Sequence, residues 1–135
     1  MQIFTSCFAQ IRKLPDNIVP VSIALKTPAW FQGIRYPALA PHGTFFAVWK
    51  RNHDDAEYLR RFNQEVLAPL DAQAAAAELQ SLSGGKDIVL LCYEKPSDFC
   101  HRHRVAEWFT ERGISVSEWN AFDQNGILWE QDSLF

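Results

Sequence analysis

The chain has 135 residues, 47% of them hydrophobic and 13% aromatic, which excludes a disordered or low-complexity polypeptide and predicts one well-filled domain over 1–135. Thirteen Lys and Arg against sixteen Asp and Glu give a net charge of −3 and exclude a global positive field for nucleic acid, so any polyanion site has to be local. The three Cys do not form a secreted disulfide framework, and no stretch reaches the roughly 18 apolar residues of a membrane span. A soluble cytoplasmic protein with reduced thiols, no membrane partner and no known cofactor is therefore expected.

Residues 2–8 alternate in polarity and predict a first strand, closed by Leu14-Pro15-Asp16-Asn17. Residues 18–25 are rich in β-branched side chains, but Pro20 lacks a ladder donor, which places the second strand at 21–25. Residues 26–53 show no clean period and carry scattered Pro, Gly and aromatic residues, as in an irregular segment packed by its own rings. Asp54 or Asp55 caps a helix to about residue 67, where Pro69 follows, and Asp71 caps another to about 82, before Gly84 and Gly85. Residues 87–93 are apolar on both faces, the mark of a central parallel strand. Ser97 or Asp98 caps a helix over about 100–112, Gly113 follows it, and 114–119 alternates as a last strand. This order predicts a single-domain α/β three-layer sandwich with a mostly parallel sheet of about four to five strands, and a C-terminal extension at about 120–135 with an Asn125-Gly126 turn.

The candidate site is the strand-loop-helix junction at 92–104. In an open parallel sheet the ligand crevice lies at the carboxyl ends of the strands, and a helix N-terminus there favours a phosphate or carboxylate. Cys100, at the first turn and near His101 and Arg102, is the candidate nucleophile, its thiolate favoured by the dipole and by cationic neighbours. His101 is its candidate base or a hydrogen-bond donor, and Glu94 a candidate acid or base. The guanidinium fork of Arg102 suits an anion, while Arg104 is a lesser candidate and His103 is expected to face solvent. Cys92 lies within the strand and is expected to pack. If the first and central strands are neighbours, Thr5, Ser6 and Cys7 reach the same edge, with Thr5 and Ser6 as further anion contacts.

Other chemistries lack their signatures. No Cys-x-x-Cys or spaced His pair supports metal binding by Cys7, Cys100, His101 or His103, so none is expected, and a redox pair of Cys7 and Cys100 depends on their convergence. The position six after Cys92 is Asp98 and six after Cys100 is Ala106, so no phosphatase-type Cys-to-Arg loop exists. No Gly-rich dinucleotide fingerprint follows a strand. The segment 26–51 interleaves Trp30, Phe31, Tyr36, Phe45, Phe46 and Trp49 with Lys26, Arg35, Lys50 and Arg51, which supports an alternative reading as a nucleic-acid-associated accessory module.

The run Leu90-Leu91-Cys92-Tyr93-Glu94-Lys95, then Pro96 and Cys100-His101-Arg102 at a helix start, resembles the Domain of Unknown Function 488 family of small bacterial and archaeal proteins. The likeness is strongest over about 88–109 and extends more weakly over 4–41, in Thr5-Ser6, Tyr36-Pro37 and Leu39-Ala40-Pro41. It implies a small cytoplasmic α/β domain with Cys92, Glu94, Cys100, His101 and Arg102 as site positions. It supplies no reaction. Many relatives end the second strand in an Asp-Val-Arg-like sequence where this chain has Ile23-Ala24-Leu25, so a charged pair of the family's crevice is missing here. The leading expectation is a small anionic ligand, phosphate or nucleotide-like, at residues 92–104, with enzymatic chemistry an open possibility.

Overall fold

A computed structural model describes residues 1–95 and 97–119. Five strands, β1 (Ile3–Cys7), β2 (Ile18–Ser22), β3 (Ile34–Arg35), β4 (Asp87–Cys92) and β5 (Val116–Glu118), form one all-parallel sheet in the order β3-β2-β4-β1-β5. The central place of β4 follows from its sequence, since Ile88, Val89, Leu90 and Leu91 are all buried and only a strand covered on both faces tolerates such a run. β1 and β4 are neighbours, with Cys7 opposite Cys92. The condition for Thr5, Ser6 and Cys7 to approach the carboxyl edge is thus met. The second strand runs from Ile18 to Ser22, earlier than the expected 21–25, because Pro20 is accommodated beside Val89 in the ladder.

The pleat divides the core in two. Ile3, Val21, Ile88 and Leu90 face four helices, α1 (Gly43–Asn52), α2 (Asp55–Arg61), α3 (Ala72–Leu82) and α4 (His101–Glu111). Val89 and Leu91 face the other way, onto Phe8, Ile18, Phe31 and Trp119. A 3-10 segment, Phe8–Lys13, and the loop carrying Phe31 form that second covering layer. The three layers of the α/β domain are therefore helices, sheet and a thin irregular cover. Among the described residues no helix is long and apolar enough to cross a membrane. The expected C-terminal extension at 120–135 lies outside the described residues.

Local signals explain most helix limits. Asp54 accepts a hydrogen bond from the Glu57 N–H at 3.1 Å, and Asp71 one from Gln73 at 3.2 Å, each satisfying an otherwise unpaired donor. Gly84, Gly85 and Gly113 take the positive φ that follows a helix end. The helix expected over 54–67 is two pieces, because α2 runs into a π turn at Phe62–Leu67 that places Phe62, Val66 and Leu67 in the core. The segment 26–53 is more regular than its sequence signals. It holds β3, a 3-10 turn at Pro37–Leu39 and α1, which has no side-chain N-cap and ends on His53 at φ 52°. Packing sustains α1: Phe45 is buried edge-on against Tyr58 at 5.2 Å, and Trp49 stands 5.8 Å from the same ring.

Leu90 is fully buried at the centre of the helix-side cluster. Leu90→Ala is expected to cost about 2–5 kcal/mol, through lost transfer energy and a cavity that a β-sheet relaxes poorly around. Urea unfolding followed by circular dichroism measures it.

Candidate functional site

β4 ends at Cys92, and a short loop returns to Cys100, the residue that caps α4 without a side-chain hydrogen bond. This return joins Cys92 and Cys100 in a disulfide and leaves only Cys7 free. The expectation of three reduced thiols is corrected on this point, because strand end and helix start meet over an eight-residue separation. Cys92 accordingly does more than pack. Cys100 in a disulfide has no thiolate, so its expected nucleophilic role is confined to the reduced chain.

His101 is buried, its ring 5.4 Å from that of Phe62. Its Nε2 lies 2.7 Å from the Ile23 carbonyl oxygen. A carbonyl only accepts, so Nε2 carries the proton and Nδ1 presents its lone pair 3.8 Å from Cys100 Sγ. Burial, aided by the nearby charge of Arg102, lowers the imidazole pKa to about 4. The ring is neutral at physiological pH. His103, expected to face solvent, is half-buried, and its Nε2 has no hydrogen-bond partner among the described residues.

Arg102 is fully buried and its guanidinium is occupied from every side. Nη2 donates to Glu118 Oε2 at 2.9 Å and Nε to Glu118 Oε1 at 3.3 Å, while Nη1 donates to the Glu94 carbonyl at 2.6 Å and to Cys92 Sγ at 3.0 Å. The fork expected to hold an external anion holds Glu118 instead. Thr5 and Ser6, expected as anion contacts, brace the same strand: the Thr5 hydroxyl donates to Glu118 Oε1 at 2.7 Å and Ser6 to the Trp119 carbonyl at 3.1 Å. Burial raises the pKa of the Cys7 thiol against the opposing pull of Arg102, so Cys7 is a poor thiolate and does not pair with Cys100. Arg104 bonds Asn63 at 2.7 Å and pairs with Glu107 and Glu111 on the outer side of α4.

A cavity of about 700 Å³ opens at the carboxyl ends of β2 and β4. Cys92, Cys100, His101 and Glu94 line it, so four of the expected site residues converge there, whereas Arg102, Arg104, Thr5, Ser6 and Cys7 do not. Glu94 is half-buried and its carboxyl pKa is raised by that burial, with the charge of Arg102 opposing. Lys26, Phe46, Trp49, Lys50, Tyr58 and Phe99 complete the lining. Phe99 lies 5.5 Å from Trp49 and 5.1 Å from Tyr58, so helix α1, helix α2 and the loop before α4 share one aromatic surface. Tyr93 closes the rim by donating its hydroxyl to the Lys26 carbonyl at 2.7 Å. Sequence reasoning placed Lys26, Trp49 and Lys50 on a separate surface and missed Tyr58 and Phe99. The aromatic and basic interleaving of 26–51 signalled Lys26, Trp49 and Lys50, but only the fold turns them toward Cys92.

A family model described as the active DUF488-N3 subclade, DUF488-N3a, matches residues 9–113, most of the chain. The chain belongs to the DUF488 family. No curated protein and no solved structure matches it. The DUF488 match runs from the 3-10 segment after β1 to the glycine after α4 and so includes every cavity residue named above, while Thr5, Cys7 and Glu118 lie outside it.

Two outcomes are expected. Glu118→Ala leaves the buried Arg102 charge without its partner and should lower stability by about 3 kcal/mol or more in denaturant unfolding, the effect of breaking a buried ion pair from one side. His101 is neutral when folded down to pH about 4, whereas it protonates near 6.5 in the unfolded chain. As pH falls through that window the unfolded state binds the proton first, so stability drops by roughly 3 kcal/mol on this account. Urea midpoints measured from pH 7 to 4 should fall more steeply for the wild type than for His101→Gln.

Proposed function

We propose that the cavity binds a nucleotide-like anionic small molecule, with its planar ring against the aromatic wall and its phosphate near Lys26 and Lys50. The observation that carries this reading is the meeting of two lysines, an aromatic wall and the Cys92, Glu94, Cys100 and His101 cluster in one cavity at the carboxyl edge of a parallel sheet. Ligand sites favour that edge, and sites of about 300–1,000 Å³ bury most of a small ligand. The start of α4, which has no side-chain cap, adds a positive dipole end. Stacking on rings is tolerant of which base is present, while ammonium groups supply the charge term.

In this reading Glu94 is the acid or base. Its raised pKa keeps a larger fraction protonated near neutrality than an exposed carboxyl has, as proton transfer to a leaving oxygen requires. His101 positions the floor, since its Nε2–H is committed to Ile23. Arg102 acts from behind, holding the Glu94 backbone. The aromatic and basic segment 26–51, also read as a nucleic-acid surface, is assigned to this ligand, because Lys26 and Lys50 face the cavity and Phe31, Tyr36 and Phe45 are buried.

Thermal melts with adenosine monophosphate, adenosine and inorganic phosphate test the assignment. Adenosine monophosphate at 100 times its Kd should add about 2.7 kcal/mol of stability and raise Tm by several degrees, more than either fragment. Lys26→Ala with Lys50→Ala should remove that gain. An unchanged shift in the double variant, or no shift with any of the three, would sink the proposal.

A further inference from the structure

The floor of the cavity holds a second chemistry that does not depend on which organic ligand enters it. Cys92 Sγ, Cys100 Sγ and one His101 nitrogen lie within 4.8 Å of one another, and all three residues are buried and line the cavity. We propose that, once the disulfide is reduced, Cys92, Cys100 and His101 form a three-ligand site for a zinc-class divalent cation, with the fourth coordination position open to the cavity.

Three observations carry the assignment. The tautomer is already set: Nε2–H donates to the Ile23 carbonyl at 2.7 Å, and the lone pair of Nδ1 faces Cys100 Sγ at 3.8 Å. An imidazole that ligates a metal through one nitrogen usually donates the other N–H to a carbonyl or carboxylate in this way. Next, a donor stands behind the sulfur: Arg102 Nη1 reaches Cys92 Sγ at 3.0 Å, an outer hydrogen bond suited to a thiolate ligand. Charge also balances. Two thiolates neutralise a divalent cation, the imidazole is uncharged, and Arg102 is separately neutralised by Glu118 at 2.9 Å, so the buried site gains no net charge on loading. Two sulfurs and one nitrogen with an open fourth position is an established catalytic zinc arrangement.

The disulfide makes loading conditional. A dithiol reductant passes two electrons and two protons to the Cys92–Cys100 bond, giving two thiols and its own disulfide. The cation then displaces both thiol protons to solvent as two metal–sulfur bonds form. The oxidised chain has no thiolate to offer, so the same two residues exclude metal when joined and bind it when parted. Cys7, opposite Cys92 in the ladder, is not part of the cluster.

The test compares the intact chain in two redox states, with zinc and cobalt ions as probes. Reduced by a phosphine, stripped and then given one equivalent of zinc, the wild type should retain one ion per chain in native mass spectrometry. Cobalt should give a thiolate-to-metal charge-transfer absorption. After oxidation, confirmed by the loss of two free thiols, neither signal should appear. Cys7→Ser should behave as wild type, whereas Cys100→Ser or His101→Gln should weaken retention at least as much as loss of an outer-shell partner does, about 10–100-fold. A reduced, folded wild type that keeps no zinc would overturn the proposal, as would equal retention by the oxidised chain. The redox comparison needs no variant to fold, and it is read without any nucleotide, so its failure is separable from failure of the nucleotide assignment.

Discussion

One fully buried guanidinium organises the carboxyl edge of this sheet. Arg102 is on the first turn of α4, yet it binds the side chain of β5, the backbone after β4 and the sulfur that ends β4. A buried cation is costly unless it is paired and hydrogen-bonded, so the position of α4, the strand order and the loop after β4 are mutually dependent. Thr5 extends the dependence to β1 by donating to the same carboxylate. The disulfide, the neutral His101 and the half-buried Glu94 all sit around that anchor, and the precision of the cavity floor derives from a residue that does not line it.

The cavity in turn joins parts of the chain that have little in common by sequence. The floor comes from β4 and the start of α4, where sheet topology presents strand ends. The wall comes from α1, α2 and the loop residue Phe99. Tyr58 has the more constrained place: it faces Phe45 at 5.2 Å and stacks at 11° on Phe62, so the core of the helical layer and the cavity wall share one ring. Its phenol pKa is pushed well above the ordinary range by burial, with Glu94 adding to the effect. The phenol therefore stays protonated and neutral beside the cavity.

Legibility in the sequence followed the strength of local signals. β4 declared itself through four successive buried aliphatics, and α2 and α3 through Asp54 and Asp71 as caps. α1 did not, because Phe45, Phe46, Val48 and Trp49 are indifferent helix formers and His42 makes no cap bond; tertiary contacts hold it. Of the site, Cys92, Glu94, Cys100 and His101 were found from their place at a strand end and helix start. The role of Arg102 was misjudged because its carboxylate partner is 16 residues away, off the helix on strand β5, a pairing that no periodicity reveals. The Cys92–Cys100 bond was missed for a related reason, since spacing alone does not fix whether a loop returns one cysteine to the other.

The boundary of the family match gives the Arg102 anchor one more meaning. The match stops at residue 113, while the counter-charge is Glu118 and its brace is Thr5, both beyond the ends of the match. The matched segment therefore does not contain the whole sheet. Trimmed to 9–113, the chain would lose two of its five strands, β1 and β5, expose one long side of β4, and part Arg102 from its carboxylate.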